Sequence, residues 1–362
     1  MPPTRMDHPA RIASLRAALG ARGADAYITT HLPNVRYLSG FTGSNALLLV
    51  TAERTWFLTD FRYRAQTAAE VTADRAFFGQ GSLIELARVN GLFRHTRAVS
   101  YDRSRLTVAQ YDELGRAAGF DRLVGQENLV EELRHVKDAD ELGLVQRAAA
   151  VTDAVFARLL PMIRPGVREC DIAAEIARMH RRGGAEKDAF DTITASGPRS
   201  ALPHGRATER IIGMREFVTL DFGCVVEGYH SDMTRTVCVG NPTAEMKKVY
   251  GIVLEAQRRG TEAVKTGVPA RTADAAAREH ITSKGYGEYF GHSLGHGVGL
   301  EIHESLRLSA ASGATLRNGH LVTVEPGIYL PGKFGVRIED MVVVRDGGAE
   351  VLTASPKELI VL

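Results

Sequence analysis

The sequence predicts an α+β protein divided into two domains. Its 362 residues exceed what one ordinary hydrophobic core holds, so length alone favours about two domains. The first 130 residues alternate helical patterns with short apolar runs, which is typical of a modest α/β domain. The remainder places strand-like runs between pairs of helices, which indicates a mostly antiparallel sheet. We therefore expect an N-terminal α/β domain over residues 1–135 and a larger α+β domain over residues 136–362.

The elements of the N-terminal domain follow from hydrophobic periodicity. Apolar residues at helical spacing predict helices, and short apolar runs between polar residues predict strands. The predicted helices cover residues 11–19, 82–93 and 107–118, and the predicted strands cover 26–29, 46–50, 55–58 and 98–100.

The C-terminal domain begins with a long amphipathic helix. It is predicted from residue 139 to about residue 160, because Pro161 and Pro165 end the pattern. Further helices are predicted over 168–181, 244–264 and 271–284, and strands over 217–226, 230–239, 321–325 and 336–344.

Composition disfavours several classes of function. With 45 basic and 43 acidic residues, the formal charge of +2 gives no general attraction to nucleic acid or to anionic membranes. No stretch approaches 18 consecutive apolar residues, and the first residues lack the apolar segment of a signal peptide. The three cysteines lack disulfide-framework or metal-site spacing. We expect a cytoplasmic protein with buried free thiols, no nucleic-acid partner and no membrane partner.

Two aspartates lie on neighbouring apolar strands. Asp221 and Asp232 flank a Glu227-Gly228 dipeptide that predicts a two-residue hairpin turn. This turn would pair Asp221 with Thr234 and place the two aspartates one diagonal step apart on one face. Carboxylates at that distance repel unless a cation lies between them. The alternative is a pair of solvent-facing aspartates, but aspartate is depleted inside strands, so we favour a metal site.

A second pair of acids repeats this arrangement. Glu325 ends one apolar strand, and Glu339 follows fourteen residues later in the next. Their even spacing allows both side chains to point to one face. We interpret the two strand pairs as two hairpins that each carry two acids.

The glycine-rich stretch GHSLGHGVGLEIHE, residues 291–304, contains three histidines. Its four leading glycines make a helix costly, so we expect irregular backbone that approaches a ligand or another chain segment closely. Taken alone, the stretch could equally be a turn with surface histidines. Combined with four carboxylates, one imidazole completes a donor set that suits two divalent ions, namely Mn²⁺, Fe²⁺, Co²⁺ or Zn²⁺. A water bridging two such ions would become a hydroxide nucleophile near neutral pH.

With these residues and their contexts, the sequence resembles the pita-bread metallopeptidases, the group of methionine aminopeptidase, Xaa-Pro aminopeptidase and prolidase. The resemblance covers the chain from about residue 138 onwards. The earlier stretches NVRYLSGFTGSNALLLV and LTDFRYRAQ resemble the creatinase-type N-terminal domain of short bacterial Xaa-Pro aminopeptidases. Methionine aminopeptidases lack that domain. The five metal ligands that the resemblance implies are Asp221, Asp232, His296, Glu325 and Glu339.

The resemblance also implies a mechanism at these ligands. Asp232 and Glu339 would bridge two divalent ions, with Mn²⁺ expected first. Glu325 would act both as a ligand and as the general base that takes a proton from the attacking water.

Other residues would surround the ligands. His292 would lie near the scissile carbonyl, and His303 would hydrogen-bond the tetrahedral intermediate. His204, in ALPHG, would lie near the substrate amine or the amide nitrogen. Arg235 and Arg337 could support the carboxylates, although arginines are commonplace on surfaces.

The N-terminal TDFRY segment raises a separate possibility. If the preceding strand continues, Asp60 and Arg62 share one face, and Phe61 and Tyr63 share the other. The simplest interpretation is an exposed ion pair of little energetic weight. Because the short aminopeptidases carry a similar Asp-x-Arg-Tyr, the resemblance implies a homodimer, with these residues at its interface or at the mouth of the partner's active site.

The implied activity is hydrolysis of Xaa-Pro bonds in peptides with proline in the second position. The larger prolidases carry a long insertion between the two glutamates, whereas here only PGIYLPGKFGVRI separates them. The sequence therefore favours an Xaa-Pro aminopeptidase. Arg307 follows His303 by four residues and could bind a C-terminal carboxylate, which keeps prolidase open, unless Arg307 simply faces solvent. A non-catalytic binding module on the same fold is disfavoured because all five ligands are present.

Overall fold

The computed structural model describes residues 6–362, which form two compact units. One unit ends at Arg134 and the other begins at His135. The boundary expected from the sequence lies one position later. Each unit mixes helices with sheets, and the predicted α+β class is confirmed.

A six-stranded mixed sheet with surrounding helices forms the N-terminal unit. Its helices and strands are α1 His8–Ala21, β1 Ala26–Thr29, α2 Leu32–Ser39, β2 Leu47–Thr51, β3 Thr55–Thr59, α3 Arg64–Glu70, β4 Arg75–Phe78, α4 Leu83–Val89, β5 Val99–Asp102, α5 Val108–Ala118, β6 Leu123–Gln126 and α6 Leu129–His135. The strand order is β4-β3-β2-β1-β5-β6, and β2 runs antiparallel to both of its neighbours while the other pairs are parallel.

All predicted elements of this unit are observed within a few residues. The sequence missed the short helices α2, α3 and α6 and the edge strands β4 and β6. Helices of seven or eight residues are marginal by themselves, so their stability comes from tertiary packing that periodicity does not report. The strand before TDFRY ends at Thr59, and Asp60 caps a 3₁₀ turn over Phe61–Tyr63. The expectation that this strand continues is therefore wrong.

The C-terminal unit combines long helices with antiparallel strands. Its elements are α7 Ala139–Leu159, α8 Glu169–Arg182, β7 Lys187–Asp188, β8 Ile193–Ser196, β9 Glu216–Phe222, β10 Cys224–Val226, β11 Tyr229–His230, β12 Met233–Val239, α9 Ala244–Ala263, α10 Ala270–Ser283, β13 Gly295–Gly297, β14 Glu304–Leu308, β15 Leu321–Val324, β16 Gly327–Leu330, β17 Phe334–Arg337, β18 Asp340–Arg345 and β19 Gly348–Val351. The expected antiparallel pairing holds for every strand pair among residues 135–362.

Two helix pairs cover the strands that carry the acids. Helices α7 and α8 pack with the apolar faces of β9 and β12, through residues such as Phe156 and Leu220. Helices α9 and α10 pack on β15 to β18, through residues such as Val253, Val324 and Ile338. Burial of these faces stabilises the sheets and leaves the opposite faces for polar side chains. Among residues 6–362, no helix combines the length and the apolar character that a membrane crossing requires.

The hairpin between β9 and β12 has the predicted register. Val226 pairs with Tyr229, and Asp221 pairs with Thr234. Glu227 and Gly228 have φ angles of 44° and 78°, the left-handed values that a type I′ turn needs.

The second pair of acids does not lie on a simple hairpin. Strand β15 pairs with β18, so that Val324 lies opposite Asp340, but β16 and β17 form their own hairpin between them. The single strand expected over 336–344 breaks at Ile338 and Glu339. Glu325 and Glu339 therefore lie side by side just beyond the last residue pair of the β15–β18 ladder.

The glycine-rich stretch forms part of a five-stranded sheet, in which β13 lies between β14 and β15. Its glycines avoid left-handed backbone, since none over 291–299 has a positive φ. A Cβ at Gly295 would instead overlap the carbonyl oxygen of Thr323 on β15. Close approach of two strands is thus the reason for glycine next to His296.

Of the three free cysteines, Cys224 and Cys238 are buried as expected, whereas Cys170 is partly exposed.

Candidate active site

The structure brings four of the five predicted ligands together. Donor atoms of Asp232, His296 and Glu339 all lie within 4.8 Å of one another, and all three residues are buried. The Nε2 atom of His296 is 3.3 Å from Oε1 of Glu325 and 3.6 Å from Oδ2 of Asp232. Residues more than one hundred positions apart in the chain therefore meet at one point.

Asp221 joins this cluster through Arg337. The Nη2 atom of Arg337 donates to Oδ2 of Asp221 at 2.6 Å, and both side chains are largely buried. Among the described residues, Oδ1 of Asp221 is buried without a hydrogen-bond partner. An orphaned carboxylate oxygen at this position is costly unless a cation contacts it.

Burial and mutual repulsion dominate the electrostatics of the acids. Burial raises the pKa of Asp232 and of Glu339 well above the usual values, and the neighbouring carboxylates raise both further. Burial also raises the pKa of Glu325 to about 7, despite the opposing charge of Arg337. Four carboxylates held this close store repulsion that divalent cations would relieve.

His296 is oriented as a nitrogen ligand. Its Nδ1 atom lies 3.1 Å from the carbonyl oxygen of Gly297, so Nδ1 carries the hydrogen and donates it there. The lone pair of Nε2 then faces oxygens of Glu325 and Asp232. Burial lowers the pKa of His296 to about 3, which keeps the ring neutral. This donor set fits a divalent cation.

Two threonines that the sequence analysis did not single out hold the glutamates in place. The hydroxyl of Thr234 donates to Glu339 at 2.7 Å and accepts from Nε of Arg337 at 3.0 Å. The hydroxyl of Thr323 donates to Glu325 at 3.1 Å and accepts from the backbone nitrogen of His296. The sequence signals were positional: Thr234 was predicted opposite Asp221, and Thr323 precedes Glu325 by two residues and so shares its strand face.

His292 lies next to the cluster but contacts protein groups with both ring nitrogens. Its Nδ1 atom is 2.8 Å from the carbonyl oxygen of Ser293, and its Nε2 atom is 3.0 Å from the hydroxyl of Tyr329. Tyr329 in turn accepts from Nη1 of Arg337 at 2.9 Å. Burial lowers the pKa of His292 to about 4, and the charge of Arg337 lowers it further. Tyr329 was missed by the sequence analysis.

Three exposed side chains form the rim of the site: His204, His303 and Arg307. The ring of His303 contacts that of His296 edge-on, with centroids 4.4 Å apart. Partial burial lowers the pKa of His303, and the charges of Arg307 and His204 lower it further, which places both groups near this imidazole. Arg307 lies opposite His296 in the β13–β14 pair.

Of the two arginines expected to support the acids, only Arg337 does so. Arg235 alternates to the other face of its strand, where it pairs with Asp340 at 2.8 Å. Its remaining hydrogen bonds go to backbone carbonyl oxygens, including that of Glu339. Successive side chains of a strand point in opposite directions, so Arg235 and Thr234 could not both face the cluster.

Asp60, Arg62 and Tyr63 lie in the N-terminal unit and form a local network. Arg62 donates to Asp60 at 2.8 Å, and the amide of Asn45 donates to Asp60 at 2.7 Å. The hydroxyl of Tyr63 is 2.6 Å from that of Ser44. These contacts order the turn, and the interface role expected from the sequence stays a prediction.

Four carboxylates and one imidazole lie together between two helix-backed sheets, and this donor set suits divalent cations. Comparison with known families identifies the class more closely. The model of metallopeptidase family M24 matches residues 143–346, and the model of the creatinase/prolidase N-terminal domain matches residues 11–136. The chain belongs to metallopeptidase family M24 and carries a creatinase-type N-terminal domain, as the resemblance implied.

Several relatives are similar over nearly the whole chain. The structure of an Xaa-Pro dipeptidase from Bacillus anthracis is 43% identical, with a TM-score of 0.95 over 98% of this chain and 100% of that one. An X-Pro aminopeptidase structure from Thermotoga maritima is 37% identical, with a TM-score of 0.88 over 96% and 100% of the two chains. An Xaa-Pro dipeptidase of Pyrococcus horikoshii is 35% identical over 93% of this chain and 94% of its own length.

Proposed function

We propose that this chain is a metal-dependent peptidase that hydrolyses the Xaa-Pro bond. Its two divalent cations, with Mn²⁺ proposed first and Co²⁺, Fe²⁺ or Zn²⁺ as alternatives, would be held by the five ligand residues Asp221, Asp232, His296, Glu325 and Glu339. When bound, such ions polarise a carbonyl oxygen and lower the pKa of water. The orphaned Oδ1 of Asp221 and the bare lone pair of His296 support this occupancy.

Glu325 is the proposed general base. Its carboxylate is partly exposed, whereas Asp232 and Glu339 are buried more deeply. In the metal-free protein burial raises the pKa of Glu325 to about 7, and a carboxylate at the exposed edge of the acids can take a proton from water and then release it to the leaving nitrogen. The hydroxyl of Thr323 orients one carboxylate oxygen and leaves the other for this exchange.

The exposed histidines are the proposed substrate contacts. A neutral His303 can donate a hydrogen bond to an oxyanion that forms above the buried acids. His204 lies near enough for its charge to lower the pKa of His303, which suits a contact with the substrate amine or with the amide nitrogen. His292 uses both ring nitrogens within the protein, so we assign it to holding Tyr329 rather than to direct contact.

The position of Arg307 favours dipeptides as substrates, and this observation carries the finer proposal. Arg307 is exposed on the rim beside His303 and opposite His296. A guanidinium at this position can bind the carboxylate of a C-terminal proline in a bidentate manner. The relatives from B. anthracis and P. horikoshii, both Xaa-Pro dipeptidases, support this choice.

A second candidate is Xaa-Pro aminopeptidase, which the sequence favoured. Strands β16 and β17 are joined by three residues only, Pro331, Gly332 and Lys333, so this hairpin carries no insertion that could close the site against longer peptides. The similarity to the T. maritima X-Pro aminopeptidase supports this alternative.

The two activities differ in how the far end of the substrate is treated. We therefore compare kcat/KM for Ala-Pro, Ala-Pro-Ala and a longer Xaa-Pro peptide, using the native protein and Arg307→Ala. Arg271→Ala, an exposed arginine in the first turn of α10, is the matched control. A dipeptidase should prefer Ala-Pro, and Arg307→Ala alone should abolish that preference. Equal or better cleavage of the longer peptides would establish the aminopeptidase, and cleavage of none of them would refute both.

A further inference from the structure

An ion pair on helix α10 holds the loop that carries His292. Asp274 and Arg278 lie one helical turn apart, and both Nε and Nη2 of Arg278 donate to the carboxylate at 2.8 Å. The same guanidinium donates to the carbonyl oxygens of Phe290 at 2.9 Å and His292 at 2.7 Å. Asp274 also accepts from the backbone nitrogen of Leu294 at 3.0 Å. One ion pair thus binds three backbone groups of residues 290–294.

This loop leads directly into the candidate active site. The carbonyl oxygen of Leu294 accepts from the backbone nitrogen of Glu325 at 2.8 Å. Leu294 is therefore hydrogen-bonded both to the Asp274–Arg278 pair, called the clamp below, and to the proposed base. The ring of His292 bonds to Tyr329, which bonds to Arg337. The guanidinium of Arg278 also lies 4.2 Å above the ring of Phe290, whose edge contacts His292.

Helix α9 offers a pair of the same spacing with a different environment. Arg259 donates to Glu255 at 2.7 Å, again four residues apart; Arg259 is exposed, and the side chain of Glu255 is 31% exposed. Among the described residues, the side chain of Arg259 donates hydrogen bonds to that carboxylate alone. By contrast, Asp274 is 1% exposed. The guanidinium of Arg278 also donates hydrogen bonds to a loop that has no regular secondary structure. A buried carboxylate with its guanidinium satisfied by loop carbonyls is arranged to restrict that loop.

We propose that the Asp274–Arg278 pair is a positioning device for the site: it fixes the backbone at His292 and Leu294, and so sets the orientation of Tyr329 and Glu325 from a helix that carries none of the five predicted ligands. This inference rests on the proposed function of Glu325 and its neighbours. Because the side chain of Arg278 is 31% exposed, its replacement leaves no sealed cavity, and the folded protein can be tested.

The first test separates positioning from simple charge balance. Lysine restores the positive charge beside Asp274, but its single ammonium cannot replace the planar set of bonds to two carbonyl oxygens and a carboxylate. We expect Arg278→Gln to lower kcat on the best Xaa-Pro substrate by about 10-fold to 100-fold, with KM changed less than about threefold, because small displacements of reacting groups cost this much. Arg278→Lys should recover the Tm of the native protein but not its kcat. Arg259→Gln, the matched control, should change neither quantity.

The second test does not depend on activity. In metal-free protein with ¹⁵N-labelled histidine, the native His292 ring should show one tautomer, with hydrogen on Nδ1, as its contacts with Ser293 and Tyr329 require. Its resonances are assigned with His292→Gln. In Arg278→Lys, we expect the two ring nitrogens to shift towards each other as the loop loses its fixed position.

These readouts keep the two proposals apart. A native tautomer together with native kcat in Arg278→Lys would overturn the positioning role. If the native protein fails to cleave Xaa-Pro substrates, the proposed function falls, and the tautomer of His292 in Arg278→Lys alone decides whether the clamp positions the loop. A tautomer that shifts while Tm holds supports the clamp in either case.

Discussion

Two neighbouring carboxylates show the difference between a buried acid whose charge is unmatched and one whose charge is paired. Glu339 and Asp340 are adjacent in sequence, are both almost fully buried, and point to opposite faces. Asp340 is paired with Arg235 at 2.8 Å and with Lys357 at 2.7 Å. Although burial alone would raise its pKa, these two charges hold the pKa of Asp340 below its usual value. Glu339 faces three other acids, and its pKa is raised.

The comparison teaches that compensation of charge, rather than burial, distinguishes the two acids. A buried acid whose charge is matched within the protein contributes to the fold, and removing it leaves a buried cation unpaired. A buried acid whose charge is unmatched destabilises the fold, and its persistence points to a bound ion or a reaction. Each prediction below changes one side of this comparison.

The largest expected effect is on turnover after loss of the proposed base. Glu325→Ala removes a ligand and the proton acceptor together, so kcat should fall by at least about 1,000-fold, while the far-ultraviolet circular dichroism spectrum stays native. Glu279→Ala, an exposed acid on α10, is the control. Near-native turnover in Glu325→Ala would show that another group is the base.

Stability should respond most strongly at Asp340. Asp340→Asn leaves the guanidinium of Arg235 buried without its counter-charge, which should lower the free energy of unfolding by about 3–5 kcal/mol. Glu339→Gln should instead leave the metal-free protein at least as stable as the native one, because it relieves repulsion. Urea unfolding at pH 7 with a chelator measures both. Equal destabilisation by the two substitutions would contradict the comparison.

Loss of one rim histidine should have a smaller effect. His303→Ala should lower kcat by about 100-fold, the scale observed when a single oxyanion donor is removed, and should leave metal content unchanged. A rise in KM without a fall in kcat would indicate that His303 binds the ground state of the substrate instead.

The metal-free protein should lose stability as pH rises. Folding retains protons on Asp232, Glu325 and Glu339 that the unfolded chain releases above about pH 4.5, since their folded pKa values are raised. The free energy of unfolding should therefore fall between pH 6.5 and 8.5, by about 1.4 kcal/mol per pH unit for each proton retained. Below about pH 6.5 this fall becomes less steep, because the unfolded chain then takes up protons on His292 and His296, whose pKa values are lowered by folding.

Bound metal should abolish the fall in the free energy of unfolding between pH 6.5 and 8.5. Protein dialysed against Mn²⁺ should retain about two ions per chain, and its Tm between pH 6.5 and 8.5 should rise with free Mn²⁺. Glu339→Gln in the absence of metal should flatten the same pH dependence. A steep native profile that neither metal nor this substitution alters would place the responsible protons elsewhere.

The smallest effect is expected in the N-terminal unit. Arg62 is mostly exposed, so Arg62→Ala should leave Tm nearly unchanged. If this turn serves an interface, the substitution should dissociate a homodimer in sedimentation velocity or lower kcat/KM by up to about tenfold. Native values for both would reduce the Asp60–Arg62 pair to a turn-stabilising contact.

Local chemistry made one half of the site predictable. The dipeptide Glu227-Gly228 specifies a type I′ turn, which sets the register of β9 and β12, and that register places Asp221 and Asp232 on one face. The second half was predicted only in part. The identity and rough position of Glu325 and Glu339 were evident from the sequence, but the β16–β17 hairpin between them was not. A break in a strand depends on the tertiary contacts of the backbone, which the hydrophobic pattern does not report.

The sequence by itself determined the α+β class, most of the long elements and the set of acids and histidines, since periodicity and turn residues act over a few positions. Only the tertiary structure decided which charges are compensated. The spacing of Asp274 and Arg278 on one helix is evident from the sequence. The loop carbonyl oxygens that Arg278 also binds are brought to it only by tertiary packing. Likewise, the difference between Glu339 and Asp340 depends on Arg235 and on the chain's last residues, which reach Asp340 only because the folded sheet alternates its faces.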